Sequence, residues 1–324
     1  MEYRLLGRTG VRVSPLCMGT MTFGDAADEA ESARMFNRCR EVGINFFDCA
    51  NGYAGGRSET ILGKLIADCR DEVVITSKVG FPQAEDVNMQ GASRRHIRRQ
   101  VETSLKRLNT DRIDVYFIHR FDPDTPIEDV VRTLDDLVRE GKILYPALSN
   151  WAAWQIAKAL GVAACDGLAR IEVLQPMYNL VKRQAEVEIL PLARAEQIGV
   201  IPYSPLGGGL LTGKYTRTQK ADDGRLVRHQ MYAARYGDER NFETAEKLIA
   251  HAAERGYHPA TLAIAWVMSH PAVTAPISGA RNVEQLEASL AALEVPMTPE
   301  WRAEISALSV EPPPAHDRSE EQGR

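Results

Sequence analysis

Cysteine is scarce in this 324-residue chain. There are five, Cys17, Cys39, Cys49, Cys69 and Cys165, an odd number with no C-x-x-C pair. That argues against a disulfide framework or a zinc knuckle and suits a reducing compartment. No apolar run is long enough to span a bilayer, and the opening "MEYRLLGRTG" lacks the apolar stretch of a secretory signal. The cytoplasm is therefore the expected location. Basic charge is not in excess either. The net charge is −5, so no global positive field favours nucleic acid or an anionic membrane. One basic cluster, Arg94, Arg95, Arg98 and Arg99, reads as the solvated face of a helix. With 44% apolar and 26% charged residues, the composition is that of a folded soluble protein rather than a disordered chain.

What the chain has is rhythm. Eight short apolar runs recur: 15–19, 45–49, 73–78, 114–119, 143–149, 171–175, 199–204 and 274–278. They are continuously apolar rather than alternating, as parallel strands covered on both faces are. Helical spacing fills the gaps, over roughly 28–42, 58–69, 93–108, 126–140, 152–161, 185–197, 242–270 (two helices broken near Gly256) and 282–292. Ser58 reads as a helix start, Pro126 as a first helical residue, and Gly43, Gly141 and Gly199 as stops. Eight βα units at this length predict an α/β fold, a closed (β/α)8 TIM barrel with an N-terminal β-hairpin around Gly7–Gly10. A doubly wound open sheet is the runner-up, but "CMGTMTFG" does not supply its G-x-G-x-x-G. Residues 1–310 are expected to be one barrel domain and 311–324, polar and proline-rich, a disordered tail. The stretch 205–240 breaks the rhythm as a long connection.

Barrel enzymes carry their chemistry where strands end at the C-terminal face. Here those ends bear Asp48 with Tyr53 just beyond, Lys78, His119, Ser149 with Asn150, Gln175, and Tyr203 with Ser204. An ammonium beside a phenol favours its ionisation, so Lys78 is expected to lower the pKa of Tyr53. Asp48 would hold Lys78, and His119 could orient a carbonyl and share in proton transfer. Singly, each has a plainer reading: Asp48 as a turn acid, Tyr53 as packing, Lys78 as a snorkelling side chain, His119 as a satisfied polar group or metal ligand. A metal is disfavoured because no second histidine reaches the rim at ligand spacing. Cys49 reads as a small buried residue rather than a nucleophile. The coincidence of four such residues on four strand ends favours the chemical reading.

Two further elements suit phosphate. "SPLGGGLLTGK" offers glycines for close backbone approach and Lys214 for charge. "SGARNVEQL" offers Arg281 and the open N–H groups of a helix start. They follow the seventh and eighth strands, the usual phosphate position in barrels.

These segments together resemble the aldo-keto reductase family, over roughly residues 3–308. "GINFFDCANGYAGGRSETILGKLI" is similar to the stretch carrying its acid and tyrosine, "VVITSKVG" to its lysine strand, and "DRIDVYFIHRFDPDTPIEDVV" to its histidine segment. The branch containing potassium-channel β subunits and aryl-alcohol-dehydrogenase-like enzymes is the nearest in pattern. The resemblance implies reduction of an aldehyde or ketone with NADPH/NADP+. It implies that Tyr53 donates the proton, Lys78 lowers its pKa, Asp48 supports the lysine and His119 orients the carbonyl. For the cofactor it implies Ser149, Asn150 and Gln175 on the carboxamide and Tyr203 on the ring. Ser204, Pro205, Leu206, Gly209 and Lys214 would follow along the pyrophosphate. Ser278, Gly279, Arg281 and Gln285 would hold the adenosine end. Gly19, Thr20, Met21 and Asp48 join the expected cofactor contacts. Three departures stand out: Cys49 where a hydroxyl residue is commoner, Ser278 where proline is common, and Ala288–Ser289 where Glu-Asn often meets the adenine. Met21, Phe23, Phe81, Met231 and Tyr232 are the expected walls of the substrate pocket. The expected partner is a small carbonyl compound, with no nucleic acid and no membrane, and a homo-oligomer is compatible with the sequence. The competing expectation is an NADP(H)-binding regulatory or sensing subunit with slow turnover. It is the less favoured, because no extension is seen ahead of the first hairpin.

Overall fold

The computed structural model describes residues 1–217 and 224–316. An antiparallel hairpin comes first, β1 (Arg4–Leu5) against β2 (Arg12–Val13). The eight apolar runs then become eight parallel strands: β3 (Cys17–Gly19), β4 (Phe46–Asp48), β5 (Val74–Val79), β6 (Ile113–Ile118), β7 (Ile143–Ser149), β8 (Val173–Gln175), β9 (Gly199–Val200) and β10 (Ile277–Ser278). They pair in the order β10-β3-β4-β5-β6-β7-β8-β9. Thr274 N donates to Val200 O at 2.8 Å and Ile277 N to Pro202 O at 2.9 Å, which joins the two ends of the sheet and closes the (β/α)8 barrel.

Two apolar layers hold it. Phe46, Val115, Phe117, Ala147, Val173 and Ile201 point inward and pack with Leu6 and Val13 of the hairpin. The hairpin lies where the strands begin, since Leu6 and Gly7 lie against Gly199 at the start of β9. The other strand faces, Phe47, Ile75, Tyr116 and Leu148 among them, meet the helices. Those helices are α1 (Glu29–Glu41), α2 (Arg57–Leu65), α3 (Arg94–Leu108), α4 (Ile127–Arg139), α5 (Ala153–Asp166), α6 (Ile189–Ala195), α7 (Arg225–Arg228), α8 (Gln230–Tyr236), α9 (Glu239–Glu254), α10 (Pro259–Met268), α11 (Val283–Leu290) and α12 (Pro299–Ser306). Capping follows side-chain chemistry: Asp28 accepts from Glu31 N before α1, and Ser93 from His96 N before α3. The basic cluster on α3 is a solvated face whose Arg98 pairs with Glu140 at 2.7 Å.

Some local expectations shift. Helix α2 starts at Arg57, one residue before Ser58, and Pro126 precedes α4 rather than opening it. Gly199 is no helix stop. The chain leaves α6 by turning at Gln197, φ 54°, and Gly199 is a strand residue whose added Cβ would meet Leu6 Cδ1 at 2.8 Å. The long connection 205–240 contains α7 and α8, and α12 follows the last barrel helix; none of these three was read from periodicity. Within that connection residues 218–223, and within the expected tail residues 317–324, lie outside the described residues.

Candidate active site

Parallel strands in one barrel end on one rim, so Asp48, Lys78, His119, Ser149 and Gln175 converge there. Lys78 is fully buried, and its ammonium spends all three donors: on Asp48 Oδ2 at 2.6 Å, Cys49 O at 2.7 Å and Tyr53 Oη at 3.1 Å. The other Asp48 oxygen accepts from Thr76 Oγ1 at 2.6 Å and Gln175 Nε2 at 2.9 Å. A buried ion pair is tolerable only when its remaining valences are met like this.

Tyr53 reaches the lysine because the chain turns sharply beyond β4. Ala54, Gly55 and Gly56 all take left-handed backbone, φ 49°, 66° and 93°, a run that needs glycine. Burial pushes the Tyr53 phenol up to about 12, and Lys78 is the largest influence pulling it down. Lys78 acts in the expected direction, but desolvation of the phenolate outweighs the ammonium's attraction and the net value is raised. For Lys78, burial works against the charge, but Asp48 and Tyr53 more than reverse it and the value is raised. His119 sits edge-on to Tyr53, ring centroids 6.2 Å apart, and edge-on to Phe81 at 4.6 Å. Burial, then Lys78 and Arg120, hold its imidazole well below the usual range, so it is neutral. Cys49 is buried beside Ser58, its thiol raised to about 12 chiefly by burial, which removes it as a nucleophile.

A second group stands beside the first. Asn150, left-handed at φ 59°, donates to His119 O at 2.9 Å and accepts from Tyr203 Oη at 2.7 Å. Ser149 Oγ donates to Gln175 O at 2.9 Å. Ser204, also left-handed at φ 61°, is tied to Tyr236 of α8 through hydroxyls 3.0 Å apart. A non-glycine residue in this conformation is uncommon, and the bonds around these two keep them there.

A cavity of about 620 Å³ opens over these residues. Asp48, Tyr53 and His119 line it, with Gly19, Met21, Ser149, Asn150, Gln175, Tyr203, Ser204, Pro205 and Leu206. Gly209, Lys214, Ser278, Gly279, Arg281 and Gln285 extend the lining. Lys78 lies behind Tyr53. Thr20 is the exception among the expected contacts. It is fully buried, its hydroxyl 2.9 Å from that of Ser58 and bonded to Asp48 O at 3.0 Å, and it lies outside the lining. Phe23 is likewise buried in the core, whereas Met21, Phe81, Met231 and Tyr232 do form walls.

The lining fits a phosphate-bearing nucleotide. Gly207, Gly208 and Gly209 run left-handed at φ 57°, 66° and 100°, and a Cβ on Gly208 would meet Tyr232 Cδ1 at 2.8 Å. The backbone is thus bared to the cavity beside Lys214. Arg281 adds a second cation. The helix start after it is less open than expected: Val283 N is taken by Glu31 Oε1 at 2.8 Å and Gln285 N by Asn282 Oδ1 at 2.9 Å. The unusual Ser278 and Ser289 meet each other, hydroxyls 2.9 Å apart and buried, so Ser289 faces the barrel.

Sequence reading did not assign several cavity residues: Thr22, Asn51, Gln83, Arg120 and Arg235. The only sequence signal for Asn51 and Arg120 was proximity to Tyr53 and His119, and Arg235 belongs to α8, which gave none.

The Aldo/keto reductase family profile matches residues 15–310. An uncharacterized oxidoreductase of Bacillus subtilis (strain 168), YrpG, is 39% identical over 317 residues, 93% of each chain. A "Probable voltage-gated potassium channel subunit beta" of Oryza sativa subsp. japonica is 38% identical over 317 residues, 95% of this chain and 96% of its own. The norsolorinic acid reductase of Aspergillus flavus is 34% identical over 319 residues, 94% of this chain and 80% of its own. The match spans nearly the whole chain, and the chain belongs to the aldo/keto reductase family.

Proposed function

We propose that the protein reduces aldehydes or ketones to alcohols with NADPH, Tyr53 giving the proton. The observation that carries this is the Asp48–Lys78–Tyr53 chain, hydrogen-bonded at 2.6 and 3.1 Å beneath an open cavity. When bound, a reduced nicotinamide supplies hydride to the carbonyl carbon. The neutral His119 donates an N–H to the carbonyl oxygen and fixes its direction. As that oxygen gains charge, the Tyr53 phenol transfers its proton to it and the alcohol forms. Lys78 stabilises the phenolate left behind, which regains a proton from solvent, and Asp48 keeps the ammonium in place.

Ser149, Asn150 and Gln175 would hold the carboxamide, with the Tyr203 ring beneath it. Ser204, Pro205, Leu206, Gly209 and Lys214 would follow the pyrophosphate, and Ser278, Gly279, Arg281 and Gln285 the adenosine. Among the described residues no helix is long and apolar enough to cross a membrane, which suits the cytoplasmic assignment we propose. The test is loss of NADPH absorbance with a panel of aldehydes and ketones. Turnover that depends on Tyr53 supports the reading; no turnover with any of them rejects it.

The channel-subunit relatives favour a second reading, an NADP(H)-binding regulatory subunit with slow turnover. It expects tight nucleotide binding with negligible oxidation across the same panel.

A further inference from the structure

We infer that Arg120 forms an anion subsite beside the catalytic centre, and that the preferred carbonyl substrates carry a carboxylate or similar anionic group. The inference deepens the reductase reading and rests on it for the word substrate.

Arg120 follows His119 at the end of β6 and lines the cavity. Its guanidinium lies over the Phe81 ring, 5.0 Å from the centroid, and the His119 ring stands nearly perpendicular to the same ring with centroids 4.6 Å apart. Phe81 therefore holds the charge one ring away from the imidazole that meets the carbonyl. An arene with its carbonyl at one end and an anion at the other spans a separation of that order.

The charge is available. Arg120 is exposed, and among the described residues no carboxylate forms an ion pair with it. Asp122 is its neighbour in sequence, but those oxygens are engaged by Ala92 N at 2.7 Å, Thr125 Oγ1 at 2.7 Å and Asp124 N at 3.1 Å. Arg120 helps lower the Asp122 carboxyl through its charge, after the hydrogen bonds from Ala92, Thr125 and Asp124. The other cations of the cavity have separate places. Lys214 and Arg281 stand in the two phosphate elements, and Arg235 acts on Tyr203. A guanidinium fixed on an aromatic face and turned to a cavity is a fork that accepts a carboxylate. Met21, Phe81, Met231 and Tyr232 supply apolar wall for the body of such a molecule.

The test compares benzaldehyde with 4-carboxybenzaldehyde in wild type, Arg120→Ala and Arg120→Lys. Wild type is expected to favour the carboxylated aldehyde in kcat/KM by roughly tenfold, the lower end for a charge-assisted bond because the site is exposed. The preference should vanish in Arg120→Ala, survive in part in Arg120→Lys and shrink with added salt. A general loss acting through His119 lowers both substrates alike and cancels in the ratio. Equal kcat/KM for the two aldehydes in wild type, or a preference kept by Arg120→Ala, overturns the subsite and leaves the reductase reading standing. If neither aldehyde is turned over, the reductase reading is left to the wider panel, and calorimetric titration with 4-carboxybenzaldehyde decides the subsite. Binding lost in Arg120→Ala supports it; no binding to wild type overturns it.

Discussion

Lys78 donates to the Tyr53 hydroxyl at 3.1 Å from a place that solvent does not reach. Two opposing effects meet at that bond. Burial raises the phenol, the ammonium draws it down, and the balance leaves it at about 12. At neutral pH the Tyr53 phenol is thus protonated, and a phenolate formed there would have the Lys78 ammonium 3.1 Å away. That arrangement stabilises charge only as it develops. Tyr53→Phe should therefore lower kcat/KM for carbonyl reduction by about 10²–10⁴-fold, the usual worth of a positioned acid. The NADPH dissociation constant, read by fluorescence titration, should stay nearly unchanged. Near-normal turnover would mean the proton comes from elsewhere.

Asp48 is expected to carry stability through its buried pair with Lys78. Asp48→Asn leaves a buried ammonium opposite a neutral amide, and breaking a buried pair costs about 3–5 kcal/mol. The double variant with Lys78→Met should recover part of that loss in urea unfolding while both variants stay inactive. The Lys78 pKa is raised in the folded state. Its stabilisation is present below the unfolded value and is lost as pH rises through the folded one. Alkaline unfolding of wild type should therefore be steeper than that of Lys78→Met. An unchanged midpoint in Asp48→Asn would show that the pair contributes nothing.

His119 is held well below the ordinary histidine range by burial, then by Lys78 and Arg120. A neutral imidazole gives no break near ~6.5 in the pH profile. We expect kcat/KM for reduction to stay flat through that region, with any acid limb lower. The linkage has the same sign. Because the folded value is depressed, the unfolded chain takes up the proton first, and stability falls as pH drops from the unfolded value towards the folded one. A break near neutrality that disappears in His119→Gln would contradict the neutral imidazole.

Arg281 is expected to read the 2′-phosphate of NADPH. Glu287 is engaged elsewhere, paired with Arg38 at 2.6 Å, and Glu284 is exposed. Glu31 is engaged as well, by Val283 N at 2.8 Å and by Arg34 at 2.9 Å. Arg281→Ala should weaken NADPH binding by roughly ten- to a hundredfold, the worth of one charge-assisted hydrogen bond, and leave NADH little changed. An equal loss for both cofactors would remove Arg281 from that role.

The sequence by itself determined the barrel and the polar side chains gathered on its rim. Continuous apolar runs separated by helical periodicity leave few topologies open, and a parallel closed sheet puts every strand end on one rim. Asp48, Lys78 and His119 were legible for that reason: strand position fixes direction. Tyr53 was legible from its motif, since the glycines after it announce the turn that carries it back. Tertiary structure alone decided what depends on burial and on groups distant in sequence. Thr20 looked like a cofactor contact until Ser58 and the Asp48 carbonyl claimed its hydroxyl. The pull of Lys78 on the Tyr53 phenol was legible, but the larger effect of desolvation was not. Helix α8 was hidden inside a long connection, though Tyr236 locks it to Ser204. Glu31 closed part of an N-terminus that seemed open, from 252 residues away in the chain. Periodicity reports which way a residue points along its own element. It carries no record of which side chain arrives opposite, and desolvation and hydrogen bonding are set by that arrival.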